Sequence, residues 1–109
     1  MTALTLPDPI AAYLEADKLG PDDVARCFTA QGIVRDEGQT HVGRDAIKAW
    51  KAESSTLYTY TQEPFAIEQV DGLHVVSSHV AGSFPGSPID MTLAFRLERG
   101  LIASLEISA

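Results

Sequence analysis

An acidic side chain stands where a strand should present an apolar face. The run "IVRDEG" contains two β-branched residues and predicts a short strand over residues 33–37 that ends beside Asp36. Side chains alternate across a strand, so Asp36 and Val34 share one face. If that face borders an apolar cavity, burial raises the pKa of the carboxyl group and makes it a better base near neutral pH. Alternatively, Asp36 is only the polar end of a strand that leads into a turn.

A second side chain, Tyr13, carries a hydroxyl group on a predicted helix. It follows Ile10 and precedes Leu14 at helical spacing in "AAYLEA". One interpretation is a core tyrosine with its hydroxyl at the surface. The other is a hydroxyl that faces the same space as Asp36, where it could stabilise negative charge on a substrate oxygen.

Composition bounds the classes of function. The chain has 109 residues, and we expect one domain over residues 1–109 with one hydrophobic core. The formal net charge of −7 and the absence of a basic stripe argue against nucleic-acid binding. No apolar run approaches the roughly 20 residues of a membrane span, and "MTALTLPDP" lacks the features of a signal peptide, so we expect a soluble, cytoplasmic protein with no membrane contact. The single cysteine, Cys27, excludes an internal disulfide and is interpreted as a buried filler.

The sequence contains no pattern for a metal or a cofactor. His41, His74 and His79 are not paired at the spacing of metal ligands, so no metal site is predicted. "VAGSFPGSP" lacks the lysine and the following helix of a phosphate-binding loop. We therefore expect no cofactor.

Three helices are predicted in the first half of the chain. They begin at Asp8-Pro9, at Pro21 and after Gly43, each with residues typical of a helix N-terminus. The second helix is predicted to bury Val24, Cys27 and Phe28. The third is predicted to turn Ala46, Ile47 and Trp50 inward and Lys48, Lys51 and Glu53 outward.

The second half has the character of a β-sheet. Strands are predicted near residues 57–70, 73–84, 88–98 and 101–108, with turns at Asp71-Gly72, Pro85-Gly86 and Arg99-Gly100. The order predicts an α+β domain, with three helices packed on a curved antiparallel sheet that encloses a partly apolar space. The outer face needs cover, and "YTYTQ" and "MTLAF" suit a half-buried surface, so we expect a homodimer formed through the sheet.

The sequence resembles the nuclear-transport-factor-2-like (NTF2-like) superfamily, and within it the SnoaL-like and ketosteroid-isomerase-like proteins. The resemblance covers nearly the whole chain and rests on "YLEADKLGPDDVARCFTAQGIVRDEG", "HVGRDAIKAW", "GSFPGSP" and the final "FRLERGLIASLEI". It implies a cone-shaped, cystatin-like α+β roll that commonly dimerises through its sheet. Isomerases, cyclases, dehydratases, hydrolases and non-catalytic binders share this fold, so the fold alone does not choose a function.

The resemblance implies roles for particular residues. In a ketosteroid isomerase the general base is an aspartate on the strand before the third helix, where Asp36 falls, and the main oxyanion donor is a tyrosine on the first helix, where Tyr13 falls. Together they would move a proton from a carbon next to a carbonyl group. The second donor of those enzymes is an acid on a late strand, and "SPIDMTLAF" offers either Asp90 or Thr92 at that place.

Further residues are candidates to line the cavity. They are Val34, which shares the face of Asp36, the two large aromatic residues Phe28 and Trp50, and His79 on a central strand. For Phe28 and Trp50 the alternative is the core wall between helices and sheet, and for His79 it is a packed, hydrogen-bonded histidine. Three functions stay open: an isomerase, cyclase or dehydratase acting on a small apolar carbonyl compound, a non-catalytic binder of an apolar small molecule, and an interaction domain whose cavity is filled by its own side chains.

Overall fold

Three helices and six strands make up the fold. The structure, a computed structural model, describes residues 4–109 of the chain. In chain order its elements are α1 (Asp8–Asp17), α2 (Pro21–Arg26), β1 (Phe28–Asp36), β2 (Gln39–Val42), α3 (Arg44–Leu57), β3 (Tyr60–Val70), β4 (Leu73–Gly82), β5 (Ile89–Glu98) and β6 (Leu101–Ser108). The predicted order of elements is confirmed, with one strand added.

The helices begin where the sequence predicts. Proline stands in the first turn of both α1 and α2, where its missing N–H costs no hydrogen bond. The prediction for the end of α2 is wrong, because the helix stops at Arg26 and Phe28 is the first residue of β1. Phe28 is buried from that strand rather than from the helix.

Strands β3 to β6 form an antiparallel meander, as predicted. Asp71-Gly72 and Arg99-Gly100 close two-residue hairpins with positive φ at both positions, which matches the twist of the flanking strands. At Pro85-Gly86 the Ser87 N–H donates to the Phe84 carbonyl at 3.3 Å, and Gly86 has a φ of +87°, as a type II turn requires.

The first strand is longer than predicted and its pairing differs. β1 covers nine residues and turns at Glu37-Gly38 into β2, a strand that the sequence analysis missed because Gln39–Val42 is mostly polar and exposed. β1 runs parallel to β6, so the order of strands is β2-β1-β6-β5-β4-β3. The sheet is therefore mixed rather than wholly antiparallel, because helix α3 and the rest of the meander intervene between the two strands.

The helices cover the concave face of this curved, unclosed sheet and enclose the core. The core comprises Ile10, Tyr13, Ala16, Val24, Phe28, Val34, Ile47, Val76, Leu93, Phe95, Ile102 and Leu105. The α+β fold class is confirmed. Across residues 4–109, no helix has the length and apolar character needed to cross a membrane.

Candidate functional site

A pocket of about 470 Å³ opens on the concave side of the sheet. Its walls come from α1, the β1–β2 hairpin, α3 and the inner face of β3 to β6. The aromatic lining residues are Tyr13, Trp50, Tyr58, Tyr60 and Phe84. The aliphatic ones are Leu57, Val80, Ile89, Met91, Leu93 and Ile107, and the acidic ones are Asp36, Glu37 and Glu53. Such a mostly apolar cleft with a few polar groups is typical of small-molecule sites.

Asp36 borders the pocket and is held from one side. It is the last residue of β1, and the indole Nε1–H of Trp50 on α3 donates to its Oδ2 at 3.1 Å. The imidazole of His41 lies tilted against Trp50, with ring centroids 6.2 Å apart. Among residues 4–109 no donor contacts Oδ1 of Asp36. One oxygen of the carboxylate is therefore fixed and the other is free to accept a hydrogen bond or a proton.

Tyr13 reaches the same pocket from α1. Its ring is 2 % exposed and makes edge-to-face contacts with Phe28 and Phe95, at centroid distances of 6.2 and 5.5 Å. Its hydroxyl has no hydrogen-bond partner within the described chain and is not among the fully buried polar atoms, so it opens onto the pocket that the residue lines. Burial, and after it the negative charge of Asp17, raise the pKa of Tyr13 well above its ordinary value. At neutral pH the hydroxyl is therefore protonated and can donate.

A buried polar network, which the sequence did not predict, reaches the pocket through Tyr60. The ammonium of Lys51 lies 2.8 Å from Asp17 Oδ1 and donates to the Tyr60 hydroxyl at 3.2 Å. The Tyr60 hydroxyl in turn donates to Asp17 Oδ1 at 3.0 Å. Burial, followed by the charge of Asp17 and the hydrogen bond to it, raises the pKa of Tyr60.

The prediction that Lys51 points outward is wrong, since its side chain is 4 % exposed. Lys51 lies one turn after Ile47 on α3, so the inward stripe of that helix includes it. Its position on that stripe was the one sign in the sequence that Lys51 is buried. The two partners that make burial possible lie on α1 and β3, more than eight residues away, so the local pattern does not reveal them.

A close approach of two backbones positions Tyr60. Gly82 at the end of β4 pairs with Tyr60 at the start of β3. A Cβ atom on Gly82 would lie 2.2 Å from the Thr59 carbonyl oxygen and 2.6 Å from the Tyr60 Cα. Only glycine permits this contact, which brings Tyr60 to the helices.

Two predicted lining residues belong to the core instead. Val34 and Phe28 are fully buried and pack in the central cluster, away from the pocket wall. Val34 does share the inner face with Asp36, but it lies two residues deeper along β1, where the helices cover the sheet. Trp50, the third hydrophobic candidate, does line the pocket.

Three other candidates lie on the outer face of the sheet. His79 pairs with Asp90, and Thr92 pairs with Ser77, so the alternation of the strands sends their side chains away from the pocket. The His79 Nδ1 and Asp90 Oδ1 atoms are 2.9 Å apart on side chains that are 55 % and 64 % exposed. The pocket receives the residues between them, Ile89, Met91 and Leu93. Neither Asp90 nor Thr92 therefore supplies a second donor inside the pocket.

The donor set does not favour a metal ion. Among residues 4–109, no three His, Cys, Asp or Glu side chains are grouped as metal ligands. The chemistry that the pocket offers is a carboxylate, a phenol and an apolar wall.

Comparison with solved structures identifies the family. A candidate polyketide cyclase from Sinorhizobium meliloti is 35 % identical in sequence and superposes with a TM-score of 0.89. The alignment covers 94 % of this chain and 95 % of that protein. The chain belongs to the NTF2-like superfamily, among its SnoaL-like and ketosteroid-isomerase-like members.

More distant members of the superfamily share the fold. A hypothetical protein with a ketosteroid-isomerase-like fold from Catenulispora acidiphila, solved in complex with trimethylamine, is 21 % identical with a TM-score of 0.85, over 96 % of this chain and 87 % of that one. The epoxide hydrolase/cyclase-like enzyme SalBIII, described in pyran ring formation in polyether salinomycin, is 18 % identical with a TM-score of 0.75, over 91 % and 85 %. No protein-family model and no curated protein matches the chain.

Proposed function

We propose that this NTF2-like protein binds a small, largely apolar carbonyl compound and moves a proton on the carbon next to the carbonyl group. Asp36 is the base and Tyr13 is the hydrogen-bond donor to the carbonyl oxygen. The observation that carries the proposal is that a carboxylate oxygen and a tyrosine hydroxyl, each without a hydrogen-bond partner in the described chain, border one largely apolar pocket. Tyr13 is 2 % exposed and no group of the described chain bonds to its hydroxyl, so that hydroxyl is available to a partner in the pocket.

The two side chains divide the chemistry. Asp36 Oδ1 takes the proton from the carbon, and the electron pair of the broken C–H bond moves into the carbonyl group to give an enolate. Tyr13 donates to the enolate oxygen, where the negative charge develops. Asp36 then returns the proton to the same or a conjugated carbon, and the Trp50 N–H holds the carboxylate in place throughout.

The pocket holds one such donor where the isomerases use two. A single oxyanion donor typically contributes roughly 2.7–4 kcal/mol to stabilisation of the transition state. We therefore expect a slower isomerase, acting on carbon acids that an activating second carbonyl makes easier to deprotonate. Polyketide-like β-dicarbonyl compounds have that property, and ring closure through such an enolate is the cyclase form of the same step. The description of the Sinorhizobium relative as a candidate polyketide cyclase supports this substrate class.

The test is hydrogen–deuterium exchange at the α-carbon, followed by NMR with small enones and β-diketones in deuterated buffer. We expect Asp36→Asn to slow the catalysed exchange by at least about 100-fold, because the amide keeps the shape of the side chain and loses the base. Asp90→Asn is the matched control, since it makes the same change on the outer face of the sheet. Equal rates for wild type and Asp36→Asn would refute the role of Asp36.

A non-catalytic binder is the second candidate function. Trp50 is the only tryptophan of the chain and lines the pocket, so its fluorescence reports occupancy. Compounds that change this fluorescence without any enhanced exchange would establish the binder and end the enzyme proposal.

We also propose that two copies pair through the outer face of the sheet. From "YTYTQ" and "MTLAF" the side chains on that face are Thr61, Thr92 and Ala94, while Tyr60 and Met91 turn inward. Half-buried Val75 lies opposite Ala94 and extends this row of small side chains, which Glu68 and Glu106 flank on the neighbouring strands. Light scattering at tens of micromolar should give twice 11.7 kDa. The substitution Thr92→Arg should reduce the measured mass to that of one chain. A wild-type protein that is itself a monomer would contradict the proposal.

A further inference from the structure

In the described chain, the pocket wall carries acidic side chains without lysine or arginine to balance them. Asp36, Glu37 and Glu53 line it, and among the described residues neither lysine nor arginine does. The chain as a whole carries a net charge of −7, which adds to the negative potential. An anionic ligand is therefore disfavoured, and a cation is attracted.

The cations of the neighbouring helix α3 are all engaged elsewhere. Arg44 Nε donates to the Phe28 carbonyl at 2.9 Å. Lys48 pairs with Asp22 at 2.8 Å, and Lys51 is held by Asp17. None of them neutralises the three carboxylates of the pocket wall.

Aromatic faces accompany the carboxylates. Trp50, Tyr58 and Phe84 line the pocket, and the rings of Tyr58 and Phe84 meet edge to face with centroids 6.2 Å apart. The negative face of an aromatic ring attracts ammonium groups, and methylated ammonium groups most of all, because their hydration is weak. Carboxylates and rings in one apolar pocket are thus the features that recognise an amine cation on an apolar body.

Tyr13 gives independent evidence that the pocket takes a ligand with an oxygen atom. The residue is 2 % exposed and lines the pocket, its hydroxyl is protonated, and no group of the described chain bonds to that hydroxyl. The ligand that fits both observations carries an oxygen acceptor for Tyr13 and a positive charge for the carboxylates.

We propose that the ligand of this pocket is a cationic amino ketone, a carbonyl compound that bears a protonated or quaternary amine. The proposal rests on the proposed function, since it specifies the substrate class of the same site. Glu37 and Glu53 attract the cation, and Asp36 keeps its role as base. The positive charge also makes the neighbouring carbon–hydrogen bond more acidic, which suits a site with a single oxyanion donor.

Two ketones of the same shape test it. Acetonyltrimethylammonium and 4,4-dimethylpentan-2-one differ only in a charged nitrogen or a neutral carbon at the branch point. Titration of Trp50 fluorescence at low ionic strength should show the cation binding about tenfold more tightly, a factor between those of an exposed and of a desolvated cation–π contact. The difference should shrink as salt is added, because salt screens the carboxylates.

Variants locate the effect. Glu37→Gln combined with Glu53→Gln should remove most of the preference for the cation over the neutral ketone. Glu98→Gln, an exposed acid in the β5–β6 hairpin, is the control and should leave both affinities unchanged.

The outcomes separate the two proposals. Equal binding of the two ketones, or tighter binding of the neutral one, would overturn the cationic ligand and leave the proposed function standing. Failure of both ketones to change Trp50 fluorescence at tens of millimolar would overturn the cationic ligand together with the proposed function.

Discussion

Two polar clusters meet at the pocket, one of them only through Tyr60, and they differ in whether their hydrogen bonds are complete. The closed network consists of Asp17, Lys51 and Tyr60, which bond to one another at 2.8 to 3.2 Å. The open pair consists of Tyr13 and Asp36, of which only one oxygen of Asp36 has a partner in the described chain. Both clusters combine α1 with a strand end; the side chains of Asp17, Lys51 and Tyr13 are buried, whereas Asp36 is half-buried.

The difference separates structural from functional polar groups. In the closed network each charge is neutralised inside the protein, so a ligand would gain little from it. In the open pair the Tyr13 hydroxyl and one oxygen of Asp36 have no partner in the described chain, so a ligand can form those hydrogen bonds. The contrast predicts that the closed network governs stability and that the open pair governs binding and catalysis.

The largest effect is expected when the closed network loses its cation. Lys51→Met should lower the free energy of unfolding by about 3–5 kcal/mol, because Asp17 is left as a buried, uncompensated charge. Lys48→Met removes an exposed ion pair from the same helix and should change stability little. Urea denaturation followed by circular dichroism measures both. Similar midpoints for the two variants would show that the network is not a stabilising unit.

A pair of tyrosine substitutions compares the two clusters directly. Tyr60→Phe should cost about 1–3 kcal/mol, because it leaves buried Asp17 and Lys51 with one partner fewer. Tyr13→Phe removes a hydroxyl without a partner in the described chain and should cost less than about 0.5 kcal/mol at pH 7. The same denaturation experiment checks this, and a reversed order would erase the distinction between the clusters.

The buried tyrosines should also make the protein sensitive to alkali. The folded-state pKa of Tyr13 lies above its ordinary value of 10.0, so above pH 10 the unfolded chain loses a proton that the folded chain keeps. Fewer protons are then bound to the unfolded state, and stability falls with rising pH by up to about 1.4 kcal/mol per pH unit for each such group. The stabilisation that the raised pKa of Tyr13 provides is fully present below pH 10.

Urea midpoints between pH 9 and pH 11 measure this fall. Tyr13→Phe should reduce the slope of this fall by up to about 1.4 kcal/mol per pH unit, which is the contribution of one proton. The same substitution should hardly affect stability at pH 7. Parallel curves for wild type and variant would mean that Tyr13 is not desolvated in solution.

A substitution with an effect of the opposite sign concerns a hydroxyl that belongs to neither cluster. Ser78 Oγ on the inner face of β4 is fully buried and has no partner within residues 4–109. Ser78→Ala should therefore be neutral or stabilise the protein by up to about 1 kcal/mol, since no hydrogen bond is lost. Ser77→Ala on the outer face is the control. A clear loss of stability for Ser78→Ala would indicate that this hydroxyl, too, is partnered in solution.

Local patterns were sufficient for the elements and for part of the open pair. Turn chemistry at Asp71-Gly72 and Arg99-Gly100 and helix starts at proline depend on neighbouring residues, so the sequence predicts them. The placement of Asp36 at a strand end and of Tyr13 on α1 follows from the same kind of pattern and from the family resemblance. Polar β2 was missed, because its apolar alternation is too weak to distinguish it from a loop.

The faces of the late strands were less predictable. Asp90 and Thr92 were candidates for the pocket, but they lie on the outer face of β5. A shift of one residue in the strand would exchange the two faces and turn them inward. Strand alternation states which residues share a face, but not which face is inside. Ile89, Met91 and Leu93 decide it, because they are the apolar set that the helices can bury.

The sequence by itself determined the α+β order of elements, the acidic surface and the presence of one carboxylate and one phenol at suitable places. Only the tertiary structure decided that Lys51 is buried against Asp17 and Tyr60, that β1 lies parallel to β6, and that Tyr13 and Asp36 open onto one pocket. The reason is the range of the interactions. Helix starts, turns and alternation are set by residues a few positions apart, whereas Asp17 and Tyr60 are 43 positions apart and meet only when the sheet curves around the helices.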